Sequence, residues 1–152
     1  MGIGTRLMNL WNHLRTGPDR RGADPSLEGL GRRGELAAVA YLKSSGWTVV
    51  EHGSRTRFSE LDIVAADRRT VVFVEVKTRT SAAAGLPIEA VDLAKQRRLA
   101  RAALAYLKRH ELLEQQCRFD VIAIEWPPGS TTPSIHHIRN AFEPPGQGNL
   151  FA

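Results

Sequence analysis

Between residues 60 and 77 the chain first alternates and then fills in. Glu60-Leu61-Asp62-Ile63-Val64-Ala65-Ala66 puts Leu61, Ile63 and Ala65 on one side of a strand. Val71-Val72-Phe73-Val74-Glu75-Val76-Lys77 is apolar on both faces as far as Glu75, the pattern of a central strand covered on both sides. Pairing Ala66 with Val71 leaves Asp67-Arg68-Arg69-Thr70 as the loop, an ordinary hairpin length. That register sets Val64 opposite Phe73, Asp62 opposite Glu75 and Glu60 opposite Lys77. Directly opposed residues share a face.

The flanking segments supply the other elements. Helical spacing predicts a helix over residues 27–45, capped by Ser26, stopped by Gly46, and burying Leu36, Val39, Ala40 and Tyr41. Trp47-Thr48-Val49-Val50-Glu51 reads as a short strand, and Gly53-Ser54-Arg55-Thr56-Arg57 as a charged turn into the hairpin. Ser81 to Gly85 is a small-residue loop. Pro87 opens a long helix to His110, with Leu93, Leu99, Ala103, Tyr106 and Leu107 as core candidates and a basic face of Lys95, Arg97, Arg98 and Arg101. Strands follow over residues 119–124 and 134–139. The order α-β-β-β-α-β-β predicts an α/β layered domain with a mixed sheet.

Residues 1–26 read as an appendage: Leu7, Leu10, Trp11 and Leu14 keep helical spacing, and a basic Gly/Pro linker follows. The domain itself spans residues 27–143, and residues 144–152 form a flexible tail. A chain of 152 residues suits one such domain. The net charge of +5 favours an acidic partner, nucleic acid first, although an anionic membrane surface also fits. The single cysteine, Cys117, excludes an internal disulfide, and no Cys/His cluster suggests zinc. His136-His137 face opposite ways on a strand and read as structural or surface residues. No apolar stretch is long enough for a membrane span, and no secretory h-region opens the chain, so the cytoplasm is the expected location.

Opposed carboxylates repel, and charge in a covered strand is costly without a partner. A hard divalent cation held by the carboxylate oxygens of Asp62 and Glu75 reverses that sign, with Lys77 alongside. The alternative is an ordinary Glu60–Lys77 cross-strand ion pair with Asp62 and Glu75 solvated at a strand end.

Longer strings extend the pattern. Gly34-Glu35-Leu36-Ala37-Ala38, Ser59-Glu60-Leu61-Asp62-Ile63-Val64 and Val72-Phe73-Val74-Glu75-Val76-Lys77-Thr78-Arg79 resemble the bacterial YraN-like uncharacterised family. So do Gly85-Leu86-Pro87, Lys95, Arg98-Leu99, Arg118-Phe119-Asp120-Val121 and Ile138-Arg139-Asn140-Ala141-Phe142. That family is similar to archaeal Holliday-junction resolvases and to the restriction-endonuclease-like superfamily, whose signature is PD-(D/E)-x-K. The resemblance implies a restriction-endonuclease-like α/β fold with a mixed central sheet flanked by helices. Asp62 matches the signature aspartate, Glu75 the second acidic residue, Lys77 the lysine, and Glu35 the glutamate of the first helix. Ser59 stands where the family usually has glycine, and no proline precedes Asp62.

What the resemblance implies is a Mg²⁺- or Mn²⁺-dependent DNA endonuclease, structure-selective and resolvase-like, in DNA repair or recombination. Asp62, Glu75, the Val76 carbonyl and Glu35 are the expected metal ligands, Lys77 the group that orients water or stabilises charge, and Glu60 the partner of Lys77. Arg55, Arg57, Arg79, Lys95, Arg97 and Arg98 are candidates for phosphate contacts, which give affinity without base specificity. Branched DNA and a homodimer are expected by analogy with resolvases. Gln147, Leu150 and Phe151 resemble the Gln-x-x-Leu-Phe peptide that binds the replication sliding clamp. A nucleic-acid-binding module that does not cut, or an adaptor using the same fold, are the alternatives.

Overall fold

The computed structural model describes residues 28–80 and 91–144. Ser26, the Ser81–Gly85 loop, Pro87, the appendage and the clamp-like residues Gln147, Leu150 and Phe151 lie outside the described residues. The elements are α1 (Glu28–Ser44), β1 (Thr48–Arg55), β2 (Glu60–Asp67), β3 (Thr70–Arg79), α2 (Leu93–Arg109), β4 (Cys117–Glu125) and β5 (Ser134–Phe142). They form an α/β fold around a five-stranded mixed sheet in the order β1-β2-β3-β4-β5. β3 and β4 are parallel and need a crossover, which α2 supplies; the other neighbours are antiparallel. No helix among the described residues is long and apolar enough to cross a membrane.

The central strand is covered on both faces, as its unbroken apolar run requires. Val72 and Val74 pack with Ala38, Val39, Leu42 and Trp47 on the α1 side. Val71 and Phe73 pack with Leu99, Ala103, Tyr106 and Leu107 on the α2 side. The hairpin register is the expected one, with Val64 facing Phe73 and Ala66 facing Val71. Pairing continues one step further, to Asp67 and Thr70, so the turn is only Arg68-Arg69. Arg68 takes a positive φ of 55°, as the right-handed strand twist favours in a two-residue hairpin turn.

Several expected boundaries shift, each for a physical reason. β1 runs on to Arg55 because a bulge between Val49 and Glu51 restores its register, so Gly53 and Ser54 are strand residues. The turn is Thr56–Ser59, where the Thr56 hydroxyl accepts the N–H groups of Phe58 and Ser59 at 3.2 Å. α2 starts at Leu93 rather than at Pro87, because Asp92 caps it by accepting the Lys95 N–H at 2.8 Å. Leu93, on that first turn, is exposed. Leu61 joins the α2-side cluster instead of following Ile63 and Ala65 to the α1 side.

The rotation of α1 is set by a close approach. A Cβ on Gly34 would lie 1.8 Å from the Thr78 Oγ1, so only glycine lets the helix settle on β3 there. Gly34, Ala38 and Leu42, four residues apart, then face the sheet. Leu36 and Ala40 turn to solvent, contrary to the expectation that they are buried, and Tyr41 is half-buried.

Asp120, fully buried on β4, ties β5 and the hairpin end to the sheet. It accepts Arg118 Nε at 3.0 Å and the Asn140 N–H at 2.9 Å, and its Oδ2 lies 2.8 Å from His137 Nε2. Burial pushes the carboxyl up, but His137, Arg118 and the Asn140 N–H outweigh it and hold it below the usual range. His137 is thus structural, as its neighbour relation suggested, with Nδ1 facing the Tyr41 hydroxyl at 3.3 Å. Cys117 is buried, its thiol pushed up to about 11, and packs as a small apolar group. Asp120→Ala leaves the Asn140 N–H and His137 without their acceptor and Arg118 with Asp67 alone, and is expected to lower stability by about 1–3 kcal/mol in urea unfolding. A loss under about 1 kcal/mol contradicts this account of the network.

Candidate active site

Backbone pairing between β2 and β3 ends at Ile63 and Val74. One residue beyond, the Asp62 carboxylate accepts the Val76 N–H at 2.9 Å in place of a strand carbonyl. In an extended strand a residue's N–H and C=O face the same edge, so the Val76 carbonyl points toward this opening too. Asp62 and Glu75 are opposed in the continuing register. Burial, followed by the Glu75 charge, raises Asp62 to about 8, so it carries a proton at neutral pH.

Glu75 is the buried member, 6% exposed. Lys77 Nζ lies 3.3 Å from its Oε1, and Lys95 reaches the same oxygen from the first turns of α2. Burial and the neighbouring Lys95 bring Lys77 below its ordinary value. Burial also acts downward on Lys95, but its hydrogen bond to Glu75 leaves it above the ordinary value. Lys95 therefore stands against Glu75, apart from the exposed Arg97 and Arg98. The cue in the sequence was Asp92, whose cap fixes where α2 begins and so which face Lys95 takes.

Glu35 comes in from α1, one residue after the close approach at Gly34. Its carboxylate, with those of Glu60 and Asp62, forms a group whose oxygens lie within 4.8 Å of one another. Burial, then the charges of Glu60 and Glu75, raise the Glu35 pKa. The expected Glu60–Lys77 pair is not formed. Glu60 lies 3.6 Å from Arg55 Nε, because β2 and β3 have parted by that point and β1 is still paired.

The remaining arginines do not converge on the carboxylates as one set. Arg55 is engaged with Glu60, and the Arg57 guanidinium lies 4.8 Å from the Phe58 ring centroid. Arg79 is half-buried at the end of β3, where its carbonyl accepts the Trp126 N–H at 2.7 Å. Arg97 and Arg98 are exposed on α2.

Fold and site define a small α/β protein that gathers carboxylates and lysines where its two middle strands separate. The chain belongs to the family described as uncharacterised protein family UPF0102, whose model matches residues 34–124. That span contains each carboxylate and lysine of the cluster. A UPF0102 protein of Chlorobium phaeobacteroides is 47% identical over 117 residues, covering 74% of this chain and 93% of that protein. One from Geobacter sulfurreducens is 49% identical over 114 residues, covering 75% and 88%. One from Geotalea uraniireducens is 46% identical over 114 residues, covering 75% and 89%.

The raised Asp62 carboxyl makes stability depend on pH with a definite sign. Because its folded value, about 8, exceeds its ordinary value of 3.8, folding favours the protonated form. That contribution is intact below the ordinary value and is lost as pH rises through about 8. Asp62→Asn keeps the acceptor for the Val76 N–H and removes the charge. In metal-free protein it is expected to stabilise by about 1–3 kcal/mol near pH 8.5 and by almost nothing near pH 4, read by urea unfolding. The same difference at both pH values contradicts the assignment.

Proposed function

We propose that this protein is a divalent-metal-dependent DNA endonuclease with a restriction-endonuclease-like fold, selective for branched or otherwise structured DNA in repair or recombination. One observation carries the reading: Asp62 and Glu75 meet at the parting of β2 and β3, with Glu35 and Glu60 beside Asp62 and with Lys77 and Lys95 on Glu75. The order of these residues, a helical glutamate, an aspartate on one strand and Glu-x-Lys on the next, resembles the PD-(D/E)-x-K pattern.

The donors fit a hard cation. All are oxygens, the choice of Mg²⁺ and Mn²⁺. Two oxygens on one Mg²⁺ at 2.0–2.1 Å lie at most about 4.2 Å apart. The 4.8 Å spread of Glu35, Glu60 and Asp62 thus needs only small side-chain rotations to close. Asp62 and Glu35, with Glu60 beside them, would hold the ion, and the Val76 carbonyl and Glu75, whose Oε1 meets Lys77 and Lys95, would complete the set. When bound, it supplies a water of lowered pKa and positive charge against the phosphate.

The chain's own groups do the rest. Asp62 would hold the ion as the carboxylate, its proton passing to solvent. Glu75, fixed in the central strand, sets the position of both lysines. Lys77 presents donors toward the developing charge on a phosphate oxygen or orients the attacking water. Lys95 adds a second ammonium on the same side, set free once Glu75 has another cationic partner. The basic surface supplies phosphate contacts without base specificity.

The test is incubation of the full-length chain with branched, flapped and linear DNA, with and without Mg²⁺ or Mn²⁺. Cleavage that needs the metal, and falls by about 10²–10⁴ in Lys77→Ala and Asp62→Asn with DNA binding kept, is the expected result. DNA binding without cleavage in either metal contradicts it and leaves a non-catalytic binding module.

A further inference from the structure

Beside the carboxylates lies a second feature that the phosphate chemistry does not use. A groove of about 630 Å³ runs between α2 and the turn joining β1 to β2. Its floor is apolar, with Phe58 and Leu104; its rim is Arg57, Arg101, Lys108 and Arg109. No carboxylate is among the described residues that line it, and α2 contains no acidic residue along its whole length. One wall leads toward the acidic cluster, for Phe58 stands two residues before Glu60.

We propose that this groove seats a single-stranded nucleic-acid arm, so that the substrate is a duplex carrying such an arm. The proposal rests on the nuclease reading for the place of the cut, but its binding claim stands separately. A duplex offers its phosphates and keeps its bases inside; it has nothing to lay on Phe58 and Leu104. An unpaired strand offers both at once, bases for an apolar or aromatic floor and phosphates for a cationic rim. The Arg57 guanidinium, already over the Phe58 ring at 4.8 Å, gives a planar cation on which a base stacks. An acidic amphipathic protein segment shares the charge complementarity. It is disfavoured because the one ring of the floor, Phe58, already has a planar guanidinium over it, an arrangement that suits a flat base and gains little from an aliphatic side chain.

The experiment measures binding by fluorescence anisotropy with the full-length protein in chelator, where no cleavage can occur. The probes are a blunt duplex, the same duplex with a single-stranded arm, the free single strand, and a peptide of alternating glutamate and leucine. The variants are Arg101→Gln/Lys108→Gln and Leu104→Asp, each checked by thermal melting; the first pair changes only exposed helix positions and leaves the core intact. Both variants are expected to weaken binding of the armed duplex and the free strand by about tenfold or more, and blunt duplex by less than about twofold. Equal losses on armed and blunt duplex overturn the proposal, because the rim then acts as an unspecific cationic patch. So does tighter binding of the peptide than of the free strand. Failure of metal-dependent cleavage with the groove discrimination intact refutes the nuclease reading alone. Cleavage with no groove discrimination refutes the groove alone.

Discussion

The β2–β3 ladder stops at Ile63 and Val74, and a side chain takes over where the backbone leaves off. Asp62 accepts the Val76 N–H, so an aspartate does the work of a strand carbonyl at the one point where the central strand loses a neighbour. This substitution fixes the carboxylate against Glu75, opens the Val76 edge, and lets β2 continue alone with β1 so that Glu60 is drawn toward Arg55. Had pairing run on regularly, Glu60 would face Lys77 and the opening would be closed.

The electrostatics of the cluster follow from that geometry. Glu75 is buried and meets two ammonium groups, so its charge is compensated inside the protein. Burial and the Glu75 charge keep a proton on Asp62. Glu35, brought in by the close packing of Gly34 on Thr78, adds a further carboxylate to the same field. On the proposed reading a divalent ion would relieve the burial and charge repulsion that act on Asp62 and Glu35.

Much of the hairpin was legible because β-sheet periodicity is rigid. Once Ala66 was set against Val71, the facing of Asp62 and Glu75 followed by counting, and the structure keeps that register. The helix stop at Gly46 was legible from the same kind of local chemistry, and its φ of 86° explains it. What escaped depends on contacts distant in sequence. Leu36 looked like core by spacing, yet the Gly34–Thr78 approach rotates it outward. Asp120 read as a plain strand residue, because nothing nearby in sequence reveals His137 and Asn140 beside it. Lys95 looked like one of many helix cations, since its difference from Arg97 and Arg98 is the direction of α2 relative to β3. Charge patterning tells sign and number; only the fold tells which charge meets which.

Calorimetric titration of Mn²⁺ into the full-length protein near pH 7, repeated in two buffers of different ionisation enthalpy, tests the central claim most directly. Asp62 holds a proton that a bound cation must displace, so the account predicts binding accompanied by release of about one proton, with both lost in Asp62→Asn. Binding without proton release, or binding untouched by Asp62→Asn, would contradict it.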